Sequence, residues 1–172
     1  AARACRPLTR SASVGAATSP NGKVYKIEPG GQPQTFFDPE DKYIWSMVFD
    51  RQGRLMVATG DKGVIYRVAT DGKGQVFYDT DETHVISLAV DREGNVIAGG
   101  DPKGYLYRIA PDGKAFVLYD SGMREVHAVT VAPDGTIYAA VVSSRPGLSP
   151  SSVPILVPSS SPSGEPSVTI SL

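Results

Sequence analysis

A repeat of 41 residues runs through most of this chain and limits what it can fold into. The sequence GKVYKI at residues 22–27 recurs as GVIYRV at 63–68 and as GYLYRI at 104–109. The same interval separates the members of two further series, Asp38, Asp79 and Asp120, and Gly53, Gly94 and Gly135. Because several landmarks keep one period without slippage, the sequence predicts an array of similar structural units.

Each unit is predicted to contain four short β-strands. In one unit the β-branched and aromatic segments are 85–91, 95–99, 104–110 and 115–120. Turn sequences such as PDGK separate them and supply residues that tolerate a positive φ. The first strand of a unit is apolar at nearly every residue, as expected when both faces are covered. Four antiparallel strands covered by neighbours on both sides form a propeller blade, so we predict an all-β protein, a β-propeller built from 41-residue blades.

The phase of the repeat predicts an incomplete ring of two full and two partial blades. The chain enters in the second strand of one blade, near residues 13–18, and leaves after the second strand of another, near Val142. Propellers close with about four to eight blades. We therefore expect a fragment completed by the remaining blades of a longer parent chain or, less favoured, a chain that closes its ring by self-association. Its open blade faces predict aggregation or association in isolation.

The segment VISLAVDREGN at 85–95 resembles the repeats of two-component-regulator-type propellers, and the units resemble bacterial WD40-like repeats more generally. The resemblance covers residues 12–142. It implies the propeller fold and leaves activity open, because such repeats mainly specify strands and turns. The chain lacks the Trp-Asp strand ends and Gly-His pairs of strict WD40 repeats, and its single tryptophan is Trp45. The partner rules of those repeats therefore do not transfer.

Composition separates three regions and excludes some partners. We expect a disordered segment at 1–11, blades over 12–142, and a Ser/Pro-rich linker or insertion over 143–172, within which 153–157 and 168–172 could form short strands. With 17 basic and 18 acidic side chains, nucleic-acid binding is disfavoured. No apolar run approaches the roughly 18 residues of a membrane span. The lone Cys5 excludes an intramolecular disulfide and leaves the compartment open.

Standard catalytic and cofactor motifs are missing from the sequence, including GxSxG, HExxH, GxGxxG and a Walker loop. We therefore predict no catalytic residues and no cofactor. The favoured interpretation is a non-catalytic binding, sensing or protein-interaction module. The alternative is a propeller lactonase, hydrolase or lyase, whose site would lie at the same face and be completed by further blades.

Comparison of the repeats with one another points to candidate binding residues. A residue present at one phase of every unit, such as Tyr25, Tyr66 and Tyr107, is ascribed to the fold. More informative are the positions that differ between units in the loop before each innermost strand and in the first residues of that strand. They predict a ligand site at the channel mouth formed by Tyr43, Trp45, His84, Arg124, Glu125 and His127. An aromatic platform with imidazoles and charges suits a protein, peptide, glycan or small polar ligand.

Each candidate also has a simpler interpretation. Trp45 is expected to pack between blades, because a large aromatic in an apolar strand is usually core. Arg124 and Glu125 are expected to form a solvated charged pair. His84 and His127 could bind zinc with Glu82 or Glu125, but a structural zinc normally needs four ligands, so no metal site is predicted. Carboxylates of the Asp38 series are expected to bind turn amides.

Overall fold

The computed structural model describes residues 13–143, and this range contains thirteen β-strands and no helix. No helix in the described range could therefore cross a membrane. The segment 1–11 lies outside the described residues. So does nearly all of the predicted linker, including both of its candidate strands.

The strands fall into four successive groups that match the predicted phase. The first group is β1 (Val14–Ala17), β2 (Val24–Ile27) and β3 (Gln34–Phe37). The second is β4 (Tyr43–Phe49), β5 (Leu55–Gly60), β6 (Val64–Val68) and β7 (Gly74–Asp79). The third is β8 (His84–Val90), β9 (Val96–Asp101), β10 (Tyr105–Ile109) and β11 (Ala115–Asp120). The last is β12 (Glu125–Val131) and β13 (Ile137–Val142).

Neighbouring strands within each group pair antiparallel, which confirms the prediction of two full and two partial blades. The innermost strands β4, β8 and β12 lie side by side, as the blades of a propeller require. A single backbone pairing, Gly60 with His84, joins the second and third blades into one continuous sheet. The all-β, incomplete propeller expected from the sequence is therefore correct.

The core lies between blades and is densest around the second strands of the full blades. Every residue of β5 and β9 is buried, because these strands lie between two partners in their own sheet and under the faces of neighbouring blades. Met56 on β5 and Ile97 on β9 are fully buried, as are Ile65 and Ile109 on the adjacent third strands. Strand β13 occupies the same position in the last group, yet most of its residues are exposed in the described structure.

Close contact between blades explains the glycine that comes just before the third strand of each full blade. A Cβ on Gly63 would lie 2.1 Å from the carbonyl oxygen of Glu82, and one on Gly104 would lie 2.2 Å from that of Met123. Both glycines also have a positive φ, +61° and +66°. The repeated glycine therefore allows the start of the third strand to lie against the loop that leads into the next blade.

Two of the three repeated aspartates accept hydrogen bonds from turn amides, as expected. Asp38 accepts a hydrogen bond from the Glu40 amide at 3.2 Å, and Asp120 accepts one from the Gly122 amide at 3.0 Å. Next to Asp79, the hydroxyl of Thr80 accepts the Glu82 amide instead.

Candidate functional site

The candidate residues begin the three innermost strands at one end of the molecule. In each of these strands the register shifts within the first few residues, between Ile44 and Ser46, between Val85 and Ser87, and between Val126 and Ala128. The skipped residues are Trp45, Ile86 and His127, which share one phase of the repeat. A bulge re-aims a side chain and is common beside binding sites. The variable positions of the sequence therefore coincide with a local irregularity of the strand.

Three of the predicted residues form one aromatic group, here called the mouth cluster: Tyr43, Trp45 and His84. The rings of Tyr43 and Trp45 stack with centroids 5.6 Å apart and planes inclined by 27°. His84 meets both rings edge-on, at 5.8 Å from Trp45 and 6.4 Å from Tyr43. Trp45 remains 46% exposed. Trp45 thus contacts the next blade through His84, but the expectation that it belongs to the core between blades is wrong, because nearly half of its surface is exposed.

Gly60 provides the floor on which the mouth cluster rests. It pairs with Tyr43 on one side and with His84 on the other. A Cβ at this position would lie 2.3 Å from the Trp45 Nε1 atom and 2.5 Å from the His84 Nδ1 atom. Sequence reasoning missed this residue. The equivalent positions of the following units are Asp101 and Val142. This variation between units is the signal by which the sequence could have identified Gly60.

The next residue fixes the orientation of the His84 ring. The backbone N–H of Asp61 donates a hydrogen bond to His84 Nδ1 at 3.2 Å. Asp61 has a φ of 80°, a left-handed conformation that costs a non-glycine residue on the order of 1 kcal/mol. Strained backbone of this kind concentrates at functional sites. It is retained here at the point where it holds an imidazole against the exposed tryptophan.

The remaining three candidates, Arg124, Glu125 and His127, take part in two separate side-chain contacts. Arg124 Nε donates to Asp101 Oδ1 at 2.8 Å, and this buried carboxylate raises the pKa of Arg124. His127 Nδ1 lies 2.5 Å from Glu125 Oε1. The expected pairing of Arg124 with Glu125 is therefore wrong, because each has a better-placed partner.

The six candidates do not form one contiguous set of side chains. Within residues 13–143, no ring contact, hydrogen bond or ion pair joins the mouth cluster to Glu125 or His127. Asp101 provides an indirect link, since it is the strand partner of His84 and also holds Arg124.

Glu82 has a structural role that the zinc alternative did not anticipate. Its carboxylate is buried and accepts the backbone amides of Lys103 at 2.8 Å and Tyr105 at 3.1 Å. Burial raises its pKa, and these two hydrogen bonds oppose that shift. The carboxylate is thus committed to the β9–β10 loop. Among the described residues, no group of three His, Cys, Asp or Glu side chains is placed to hold a metal ion.

Two cavities of the described structure lie away from the mouth cluster. One of about 430 Å³ lies at the other end of the innermost strands, beside Phe49, Val90 and Val131. Another of about 440 Å³ lies against β1 and β2. Trp45 is 46% exposed, so the mouth cluster offers an open surface to a ligand.

Comparison with known proteins identifies relatives by fold only. No protein-family model matches the sequence, and no curated protein matches it. A solved structure assigned as a gluconolactonase superposes with a TM-score of 0.52 at 18% identity, covering 72% of this chain and 44% of its own. Virginiamycin B lyase from Staphylococcus aureus gives 0.53 at 14% identity, covering 80% and 58%.

A third similar structure is the extracellular domain of a protein assigned as a one-component system from B. thetaiotaomicron. It gives a TM-score of 0.57 at 14% identity, covering 75% of this chain and 19% of that one. The chain spans less than two thirds of the length of each of these three structures. Propellers of this shape thus include enzymes and sensor domains.

Proposed function

We propose that this chain is part of a β-propeller that binds a ligand at one mouth of its channel without transforming it. The observation that carries the proposal is the mouth cluster, in which Trp45 is exposed on a bulge, stacked on Tyr43 and held by His84. Protein, peptide and glycan ligands all fit such a platform, whereas nucleic acid is disfavoured by the lack of a cation excess in the chain.

Rigidity supports a binding role for Trp45. One ring face is covered by Tyr43 and one edge lies over Gly60, so the indole is held in place before any ligand arrives. A fixed aromatic surface offers a large contact area with little further loss of side-chain entropy. Such residues contribute disproportionately to binding energy.

Charge at this end argues against a polyanionic partner. The loops and strand ends here carry the carboxylates Glu40, Asp41, Asp61, Asp81, Glu82, Asp101 and Glu125, against the cations Lys42, Lys62, Lys103 and Arg124. Binding of a phosphate backbone requires an excess of cations. The mouth therefore favours a neutral or cationic ligand.

The chain contains a second exposed aromatic that serves as a matched control. Phe49 lies on the same strand as Trp45, at its far end, and is 66% exposed. We expect the purified chain to bind members of a glycan array or a peptide library, with binding lost in Trp45→Ala and kept in Phe49→Ala. Binding that survives Trp45→Ala, or that is lost only in Phe49→Ala, would place the site elsewhere.

The enzyme alternative is favoured by one specific feature, the contact between Glu125 and His127. A carboxylate that orients an exposed imidazole is a common acid–base arrangement. Two of the structures with a similar fold are the one assigned as a gluconolactonase and virginiamycin B lyase. We expect no turnover of gluconolactone or virginiamycin B above background, with or without added divalent metal. Turnover abolished by His127→Ala would establish the enzyme instead.

A further inference from the structure

The two histidines of this chain are held by opposite kinds of partner. At His84, a backbone N–H donor faces Nδ1, at 3.2 Å. At His127, a carboxylate oxygen faces Nδ1, at 2.5 Å. Which nitrogen of a neutral imidazole carries the proton is set by the partner of the other nitrogen.

These partners place the two protons differently. His84 Nδ1 accepts the Asp61 amide, so its proton lies on Nε2 and that atom is a donor. Glu125 can only accept, so the His127 proton lies on Nδ1 and its Nε2 is an acceptor. Within the described residues neither Nε2 atom has a hydrogen-bond partner, so both remain for a ligand.

Metal binding is disfavoured at His84 by the same geometry. Coordination through Nε2 would move the proton to Nδ1, where it would face the N–H of Asp61, and two donors would oppose each other.

The outer face of Tyr43 is already occupied by Lys42, whose Nζ lies 5.0 Å from the ring centroid. The exposed surface of Trp45 is therefore the part of the stacked pair that remains for a ligand.

We propose that the mouth cluster binds a neutral carbohydrate, with His84 as its hydrogen-bond donor. The apolar face of the sugar ring packs on Trp45, and a ring hydroxyl oxygen accepts the N–H of His84 Nε2. Sugar hydroxyls both donate and accept, which suits a surface where charged groups of both signs surround an aromatic ring. This inference rests on the proposed function and names the ligand class for the same site.

The proton positions can be read without any ligand. Long-range proton–nitrogen correlation spectra report the tautomer of each imidazole, and the chain has two histidines, so one variant assigns both. In the neutral form of each ring we expect the Nε2–H tautomer for His84 and the Nδ1–H tautomer for His127. An Nδ1–H form for His84 overturns its role as donor, whatever the site binds.

Ligand class is tested by fluorescence, because Trp45 is the single tryptophan of the chain and reports on this site alone. The probes are glucose, galactose, mannose and N-acetylglucosamine, with choline as the cationic and glucuronate as the anionic comparison. We expect a saturable change with at least one neutral sugar, at a lower concentration than any response to choline, and none with glucuronate. A response to choline or glucuronate alone, or to no probe, overturns the carbohydrate assignment.

Two isosteric variants test His84 itself. In His84→Gln the side-chain amide reaches the position of Nε2–H, whereas in His84→Asn it reaches only that of Nδ1. We expect His84→Gln to retain sugar affinity and His84→Asn to weaken it about tenfold, the effect of one lost hydrogen bond. Equal affinity in both variants, with melting curves like the parent's, overturns the donor role. Peptide binding that depends on Trp45, with no sugar bound, would overturn the ligand class while supporting the proposed function.

Discussion

At the turn after β4, the carboxylate of Asp50 makes the stability of the fold depend on pH. Asp50 accepts the amides of Gln52 and Arg54, both at 2.9 Å, and the Arg54 Nε at 2.7 Å. Burial alone would raise the pKa of the Asp50 carboxyl, but these bonds outweigh it and lower the pKa. The ionised form therefore favours the folded state, and this stabilisation is present above the ordinary value of 3.8 and lost as pH falls through the folded pKa.

We therefore expect Asp50→Asn to lower the free energy of unfolding by about 2 kcal/mol at neutral pH, with the difference from the parent shrinking below the ordinary aspartate value. Urea unfolding at several pH values measures it. Asp71→Asn is the control, because Asp71 caps the Lys73 amide in a fully solvated turn and should change little. A constant difference at all pH values would contradict the argument.

Gly60 is the residue on which the mouth cluster depends most directly. In Gly60→Ala the new methyl would occupy the space of Trp45 Nε1 and His84 Nδ1, so both rings must move. We expect a shift in Trp45 emission and at least a tenfold loss of ligand affinity in a chain that still folds. Gly15→Ala, where nothing lies within 4 Å, provides the control. Unchanged emission would show that the cluster does not rest on this backbone.

At the scale of elements, the blades depend on close contact between loops and strand starts. Gly63→Ala combines a backbone clash with a positive φ, while Gly30→Ala has a φ of +72° and no neighbour within 4 Å. We expect Gly63→Ala to cost about 2 kcal/mol or more of folding free energy and Gly30→Ala about 1 kcal/mol. Denaturant titration compares them. Equal losses would mean that the strained φ alone, and not blade contact, explains the repeated glycine.

The sequence predicted the elements well because strand period and turn chemistry act locally. Residues 22–27, 63–68 and 104–109 each contain a third strand of a blade, and the turns TDGK, PDGK and PDGT became hairpins. The site was less accessible to sequence reasoning. Exposure of Trp45 depends on a one-residue register shift, and the support from Gly60 depends on a cross-strand pairing. Both are set by tertiary contacts that no local pattern records.

For the whole molecule, the exposed strand β13 bears on assembly. Its backbone pairs only with β12 among the described residues, and Tyr138 and Val142 are 59% and 48% exposed. Exposed apolar side chains on a strand with one strand partner in the described range favour pairing with another strand. We expect the isolated chain to associate or aggregate, as measured by sedimentation velocity over a range of concentrations. A sharply melting monomer at all concentrations would contradict this.

The one backbone bridge between the two full blades, Gly60 with His84, lies directly under the mouth cluster. The same two blades also share a buried core, so the bridge is one of several contacts that fix their relative position. A ligand that spans Trp45 and His84 would add a contact between the two blades at this end. Occupancy of the mouth would then stabilise the interface between the blades as well as fill the site.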